Sequence, residues 1–401
     1  MIYLEDVEKA AKLLQGKIIR TPLVYSPTFS KMSGAEVYLK LECLQKGGSF
    51  KLRGATYKIL SHRTEIGPEG VVAASAGNHA QGVALAAKGE GFPATIVMPE
   101  WVSISKQEAT RGYGAKVVLH GNSLAESIAL AKELAQKGMT FVHPYDDLDI
   151  ITGQATIGLE IFEDLHDPDY ILVPIGGGGL ISGIATASKA LCPHTKIIGV
   201  QAAACPSALR SRMEGKPLLV ESRKSIADGI AVKQLGEATF SIIQEKVEDV
   251  VLVEEDLIAA AILALLERKK VLAEGAGAVP LAALLAEKVS VPEGGKVVLV
   301  ISGGNVDSPL LGRIIRQGLL RNGRIMRFSV CIEDVPDSLA RLLGLLAEQG
   351  GNVLHIHHAR GGKDLSLFAS RVNLEVETRS FDHIREICEA LREAGYKISV
   401  K

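Results

Sequence analysis

An α/β body with mainly parallel sheets, followed by a small α+β appendix, is the fold class that the sequence predicts. Three observations carry this prediction. Short β-branched runs alternate with helical patterns as far as about residue 322. Those runs are continuously apolar rather than alternating, so each strand is covered on both faces, as strands of parallel sheets are. Residues 326–401 then read β-α-β-β-α-β, the ferredoxin-like arrangement.

The body elements follow in order. Strand runs occupy residues 71–74, 94–98, 116–119, 170–173, 196–200 and 296–301, and helical patterns between them include 123–137 and 254–269. The pattern changes near Arg321-Asn322-Gly323-Arg324. Beyond it, residues 328–332 alternate as a half-buried strand. Leu339, Leu342, Leu343 and Leu346 then mark one face of a helix. Strands over 352–359 and 367–376 flank a Gly361-Gly362 turn. Ile384, Ile387, Cys388 and Leu391 form a second helical stripe, and 396–400 close the set. The implied domains are 1–322 and 326–401.

Composition narrows the class of function. The chain has 401 residues, 47% apolar and 23% charged, as expected of a globular protein with a sizeable core. Lys and Arg number 45 against 46 Asp and Glu, so no basic footprint marks a nucleic acid or an anionic membrane. Aromatic residues, at 4%, are too sparse for base-stacking platforms. The five cysteines are scattered, with no CxxC, which suits a reducing compartment. Residues 1–8 are charged and lack a signal-peptide core, and the longest apolar run, 257–266, is half of the roughly 20 residues a membrane span needs. A cytoplasmic location is therefore expected.

Four glycine-rich segments carry the chemistry. In Gly47-Gly48-Ser49-Phe50-Lys51-Leu52-Arg53-Gly54-Ala55, a lysine stands on a tight turn, where burial eases loss of its proton and lets it form an imine with an aldehyde. Alone, the run also fits a solvated Lys/Arg pair opening a helix at Leu52. Gly176, Gly177, Gly178 and Gly179 follow a strand and open a helix, so their N–H groups can converge on a phosphate. No Walker lysine follows them, and the next strand runs into Gln201 rather than a ribose-binding acid, against ATP and dinucleotides. Residues 73–82 contain Ser75, Ala76, Gly77, Asn78 and His79 at another strand-to-helix turn that suits a carboxylate, although Ser75 or Asn78 equally reads as a helix cap. Ser302, in Ser302-Gly303-Gly304-Asn305, ends a buried strand at the carboxyl edge of the sheet, where α/β proteins bind ligands.

In this order, S-F-K-x-R-G-A, S-A-G-N-H-A-Q-G, G-G-G-G-L and S-G-G-N, the segments resemble the fold-type II pyridoxal 5'-phosphate enzymes, and above all the threonine ammonia-lyases (threonine dehydratases). The resemblance spans about residues 1–322 and implies two subdomains, the smaller one, about 52–150, inserted in the larger. It implies that Lys51 forms the imine with the cofactor and acts as general base. Gly176 to Gly179 hold the phosphate, Asn78 the ring hydroxyl and Ser302 the ring nitrogen, while Phe50 packs on the ring. Ser75, Ala76, Gly77 and Asn78 receive the substrate carboxylate. The implied reaction is β-elimination of L-threonine, and of L-serine, to a 2-oxo acid and ammonia.

Departures from relatives refine the expectation. Serine racemases of the family carry a second serine where this chain has Ala76, so elimination is expected over racemisation. They also place carboxylates in the stretch matching Gln201–Ser207, where this chain has none, so no divalent metal site is expected. Asp228 and Glu274 are further candidates, each also accounted for by capping or turn duty. A serine racemase, a serine ammonia-lyase, a threonine synthase and a non-catalytic amino-acid sensor are the alternative readings.

Residues 326–401 resemble an ACT domain, which implies an amino-acid effector near Asp334, Pro336 and Asn352, or a dimerisation module. Asp337 stands where that family usually has glycine. His355, His357 and His358 lack a further ligand type for a metal. The expected partners are a small amino-acid substrate, an effector and other copies of the chain in a homodimer or homotetramer.

Overall fold

Runs of Val, Ile and Leu with no polar alternation must bury both faces, and Val297, Val298, Leu299 and Val300 are wholly inaccessible to solvent. The computed structural model of the chain describes residues 1–361 and 365–400. It divides into two units, Met1–Val306 and Asp307–Lys401.

In the first unit the strands are Leu23–Tyr25 (β1), Glu36–Lys40 (β2), Val71–Ala74 (β3), Ala94–Met98 (β4), Lys116–Leu119 (β5), Thr140–Phe141 (β6), Tyr170–Pro174 (β7), Lys196–Ala202 (β8), Asp249–Val253 (β9) and Lys296–Val300 (β10). Six form one sheet in the order β1-β2-β10-β7-β8-β9, and four form another in the order β5-β4-β3-β6. Every pairing is parallel except β1 with β2, at the sheet edge. The ends of parallel strands collect on one side of a sheet, so the turns after β7 and β10 lie together, and the hydrogen bond from Asn305 to Asn78 brings the turn after β3 of the other sheet to them. These are the turns bearing Ser75 to Asn78, the four glycines, and Ser302.

The second unit starts with the helix Ser308–Arg321, so the division falls earlier than the change of pattern near Arg321 suggests. That helix is amphipathic, and its Arg316 pairs with Glu375 of the second unit at 2.7 Å. Strands Ile325–Glu333 (β11), Asn352–Ala359 (β12), Ala369–Glu377 (β13) and Ile398–Val400 (β14) follow. They form an antiparallel sheet in the order β12-β13-β11-β14, with helices Ser338–Glu348 and Phe381–Glu393 in the β-α-β-β-α-β sequence. Leu342, Leu346, Ile387 and Leu391 from these helices bury against Phe328, Val330 and Leu374. Gly362, half of the expected Gly361-Gly362 turn, lies outside the described residues.

Candidate active site

Lys51 opens the helix Lys51–Ser61. The turn before it is tied to the end of β10, where the Phe50 N–H donates to the Ser302 carbonyl at 3.1 Å and Ser49 pairs with Gly303. Lys51 Nζ donates to the Pro144 carbonyl at 2.7 Å and lies 5.1 Å from the centroid of the Phe50 ring. Burial lowers its pKa to about 8, opposed by the charge of Glu274. Near neutrality a real fraction of this amine is therefore unprotonated, unlike that of a surface lysine.

Arg53 excludes the reading of a solvated Lys/Arg pair, because it is wholly buried. Its guanidinium grips Glu42 through Nε at 2.9 Å and Nη2 at 2.8 Å, and Glu160 through Nη1 at 2.7 Å and Nη2 at 2.9 Å. Lys40, also wholly buried, donates to Glu160 at 2.5 Å and to the Thr21 carbonyl at 2.7 Å. The carboxylates hold the Arg53 pKa above its usual range despite burial, and this cluster anchors the first turn of the Lys51 helix.

Asn78 is the first residue of the helix Asn78–Glu90. Its Nδ2 donates to Glu274 Oε1 at 2.6 Å, and its Oδ1 accepts from Asn305 Nδ2 at 2.9 Å. Asn305 Nδ2 also donates to the Gly47 carbonyl at 2.8 Å, joining the lysine turn to Asn78. One Asn78 amide hydrogen remains for a ligand, and its orientation is fixed by both neighbours. Ser75 Oγ accepts from the Gly77 N–H at 3.1 Å, and Ala76 is partly buried beside it. Glu274 stands just before the helix Gly275–Leu285, without a side-chain capping bond, and is buried, which pushes its carboxyl up to about 8, helped by Asp228 and opposed by the Asn78 hydrogen bond. Asp228 itself is exposed and pairs with Lys106 at 2.9 Å. His79 is neutral, lowered to about 3 by burial and by Lys51, and its Nε2–H meets the Val142 carbonyl at 2.9 Å.

The four glycines run from β7 into the helix Gly179–Leu191. Gly178 has φ +96°, a left-handed conformation that a Cβ would strain. A Cβ on Gly177 would lie 2.2 Å from the Tyr145 ring. Neither this helix nor Asn78–Glu90 has a side-chain cap. The adjacent helix Glu237–Lys246 differs. Asp146 accepts from its first three N–H groups, those of Glu237, Ala238 and Thr239, at 3.1, 3.0 and 3.2 Å. Thr239 Oγ1 in turn donates to the Gly177 carbonyl at 2.8 Å. Carboxylate capping thus fills one helix N-terminus, while the two with glycine caps are left to an anion from elsewhere.

The segment His143 to Asp146 and the partners of Arg53 escape a reading of the sequence. Pro144 contributes a backbone oxygen, Tyr145 a ring against the glycines and Asp146 a cap, and none has a spacing signature. A polar cluster directly after β6 is the one signal that marks them. In the second unit, the expected effector residues are spoken for singly: Asp334 pairs with Arg360 at 2.8 Å, and Asn352 donates to Glu377 at 3.1 Å. Asp337 has φ +77°, which explains why glycine suits that position. A shallow hollow of about 220 Å³ lies instead on the sheet, between Arg327, His355, His357 and Glu375. Among the described residues no helix is long and apolar enough to cross a membrane.

An amine with a lowered pKa, an uncapped glycine turn for a phosphate, and a serine at the end of β10 fit an aldehyde cofactor bearing a phosphate. Comparison with known proteins agrees. The family described as "Pyridoxal-phosphate dependent enzyme" matches residues 14–303. An L-threonine ammonia-lyase of Thermotoga maritima is 48% identical over 401 residues, all of both chains. Among solved structures, the processed form of threonine deaminase isoform 2 from Solanum lycopersicum is 38% identical with a TM-score of 0.74, covering 79% of this chain and 88% of its own. Maize serine racemase is 35% identical with a TM-score of 0.74, covering 80% and 98%. With that match enclosing Lys51, the glycine turn and Ser302, the chain belongs to the pyridoxal-phosphate dependent enzyme family, in its fold-type II form.

Proposed function

We propose that this chain is an L-threonine ammonia-lyase that releases 2-oxobutanoate and ammonia from L-threonine, and pyruvate and ammonia from L-serine. The observation that carries the reading is the Lys51 amine, held by Pro144 and lowered to about 8, in a chain that matches a threonine ammonia-lyase along its whole length.

Pyridoxal phosphate, when bound, supplies the electron sink for charge developing at the substrate Cα. Lys51 would hold the cofactor through its amine, and its Nζ would serve as the base for the substrate Cα proton. Gly176, Gly177, Gly178 and Gly179 receive the phosphate, supported by the open N-terminus of their helix. Asn78, oriented by Asn305 and Glu274, donates to the ring hydroxyl. Ser302 would meet the ring nitrogen with a hydroxyl, which would not hold a proton there as a carboxylate does, and this would favour elimination over transamination. Phe50 would pack on the ring, and Ser75 with the N–H groups through Asn78 would receive the substrate carboxylate. Ala76 offers no proton on the opposite face, which supports elimination over inversion.

The second unit serves as an ACT-type regulatory or assembly module, a reading supported by its strand order. Asp334, Pro336 and Asn352 are its proposed effector contacts, and the assembly is a homodimer or homotetramer. Five free thiols suit a reducing cytoplasm.

The test is product analysis of the purified enzyme with L-threonine and L-serine, beside the variant Lys51→Ala. The expected result is equal 2-oxobutanoate and ammonia from threonine, and loss of the bound-cofactor absorption in the variant. D-serine formed in excess of pyruvate would move the reading to a racemase, and absence of any 2-oxo acid would end it.

A further inference from the structure

Two loops at the opposite edge of the large sheet bring together three metal-ligating side chains. Asp167 precedes β7, and Cys192 and His194 precede β8. One ligand atom from each lies within 4.8 Å of the others. We propose that Asp167, Cys192 and His194 form a binding site for a divalent transition metal, with zinc as the best-matched ion.

The spacing supports a shared ion. Zinc bonds to sulfur at about 2.3 Å and to nitrogen or oxygen at about 2.0–2.1 Å, so tetrahedral geometry sets the ligand atoms about 3.6 Å apart. Cys192 Sγ lies 3.6 Å from Asp167 Oδ1, and 3.6 and 3.2 Å from His194 Nδ1 and Nε2, so it rests against the imidazole face and the exposed His194 ring turns to aim one nitrogen at a shared ion. Thiolate, imidazole and carboxylate together suit zinc, with water in the fourth position. Asp167 and His194 are exposed, giving the ion a way in, and Cys192 is 5% exposed beneath them.

The loops are held in place without the ion. Thr195 Oγ1 donates to the Pro168 carbonyl at 2.7 Å, and the Lys196 N–H donates to the Asp169 carbonyl at 2.9 Å, so the Asp167 loop and the His194 loop are locked together. Lys189 Nζ donates to the carbonyls of Pro193 and Thr195 at 2.9 and 2.8 Å. That ammonium, like Lys296 Nζ on the His166 carbonyl at 3.4 Å, is held by backbone oxygens rather than by the three ligands. Cys192 is also the C-cap of the helix Gly179–Leu191, whose negative end favours a cation. The N-terminus of the same helix carries the glycine turn. Binding requires the Cys192 thiol to lose its proton to solvent, with the metal–sulfur bond replacing the S–H bond.

The test titrates cobalt(II) into metal-stripped holoenzyme and follows the visible bands of tetrahedral thiolate-bound cobalt, at wavelengths beyond the cofactor's absorption. One equivalent should bind, and zinc should displace it. Cys192→Ser should abolish the bands, and His194→Ala should weaken zinc binding by about tenfold or more. Cys331→Ser, which removes the exposed thiol, should change neither. Turnover of threonine should be unaltered in Cys192→Ser, because the site lies at the sheet edge opposite Ser302. Absence of the bands in the unaltered enzyme, or their survival in Cys192→Ser, would overturn the proposal.

Discussion

Replacing Glu274 by glutamine probes the electrostatics of the active site while leaving the Lys51 side chain in place. The Glu274 carboxyl stands at about 8 against its usual 4.5, first because of burial and then because of Asp228. A raised acid binds its proton more tightly in the folded state. Its stabilising share is therefore complete below pH 4.5 and is lost as pH climbs toward 8. By pH 7 the loss is about 2.5 units at roughly 1.36 kcal/mol each, or about 3 kcal/mol, and it levels off near 5 kcal/mol above pH 8. Glutamine escapes this loss but presents one acceptor oxygen where the carboxyl has two, at a cost of about 1 kcal/mol. The stability curves should therefore cross: the variant starts below the parent at about pH 5 and ends about 2 kcal/mol above it at pH 7. Lys51 titrates in both proteins, and because the Glu274 charge raises its pKa, the two proteins also differ there once Glu274 ionises toward pH 8. Thermal unfolding of the cofactor-free proteins in parallel, from about pH 5 to about pH 9, reads this as a Tm gain of about 4 °C at pH 7. An offset that does not vary with pH, or a parent that gains on the variant as pH rises, would refute the reasoning.

Two further outcomes rest on contacts described above. Arg53→Met leaves Glu42 buried without its counter-charge and Glu160 with Lys40 alone, and should cost about 3–5 kcal/mol in denaturant unfolding; a cost near that of a surface change would show that the cluster anchors nothing. Asp146→Ala exposes three N–H groups of the helix Glu237–Lys246, and should cost about 1–2 kcal/mol and weaken cofactor retention in equilibrium dialysis, with Asp146→Asn recovering most of both. Unchanged retention in the alanine variant would separate Asp146 from the glycine turn.

What the sequence makes legible follows from where each signal is stored. The buried strands announce themselves because both faces of β10 or β7 must be apolar, and the glycine turn does so because four residues in a row lack Cβ atoms. Lys51 is legible from its glycine-rich surroundings. The state of Arg53 is not, because its burial depends on Glu42 and Glu160, the latter 107 positions away. Pro144 acts through a backbone oxygen that any residue type would supply. The helix Ser308–Arg321 shows its amphipathic pattern plainly, yet a stripe of leucines does not name the core it serves. Asp337 shows the reverse: its departure from glycine is visible in the sequence, and its left-handed backbone supplies the reason.

Asp146 also bears on where an anion could settle. The N-termini of two helices, Gly179–Leu191 and Glu237–Lys246, crowd around the glycine turn, and a free phosphate would be drawn to both. The protein occupies one of them with its own carboxylate and leaves the other open. An incoming phosphate would thus meet a resident negative charge at the N-terminus of Glu237–Lys246 and none from a side-chain cap at that of Gly179–Leu191. The carboxylate belongs to the segment just after β6 of the four-stranded sheet, whereas the helix it fills connects β8 and β9 of the six-stranded sheet. Separating those two layers would uncover the decoy, so the choice of anion site lasts only while they stay closed on each other.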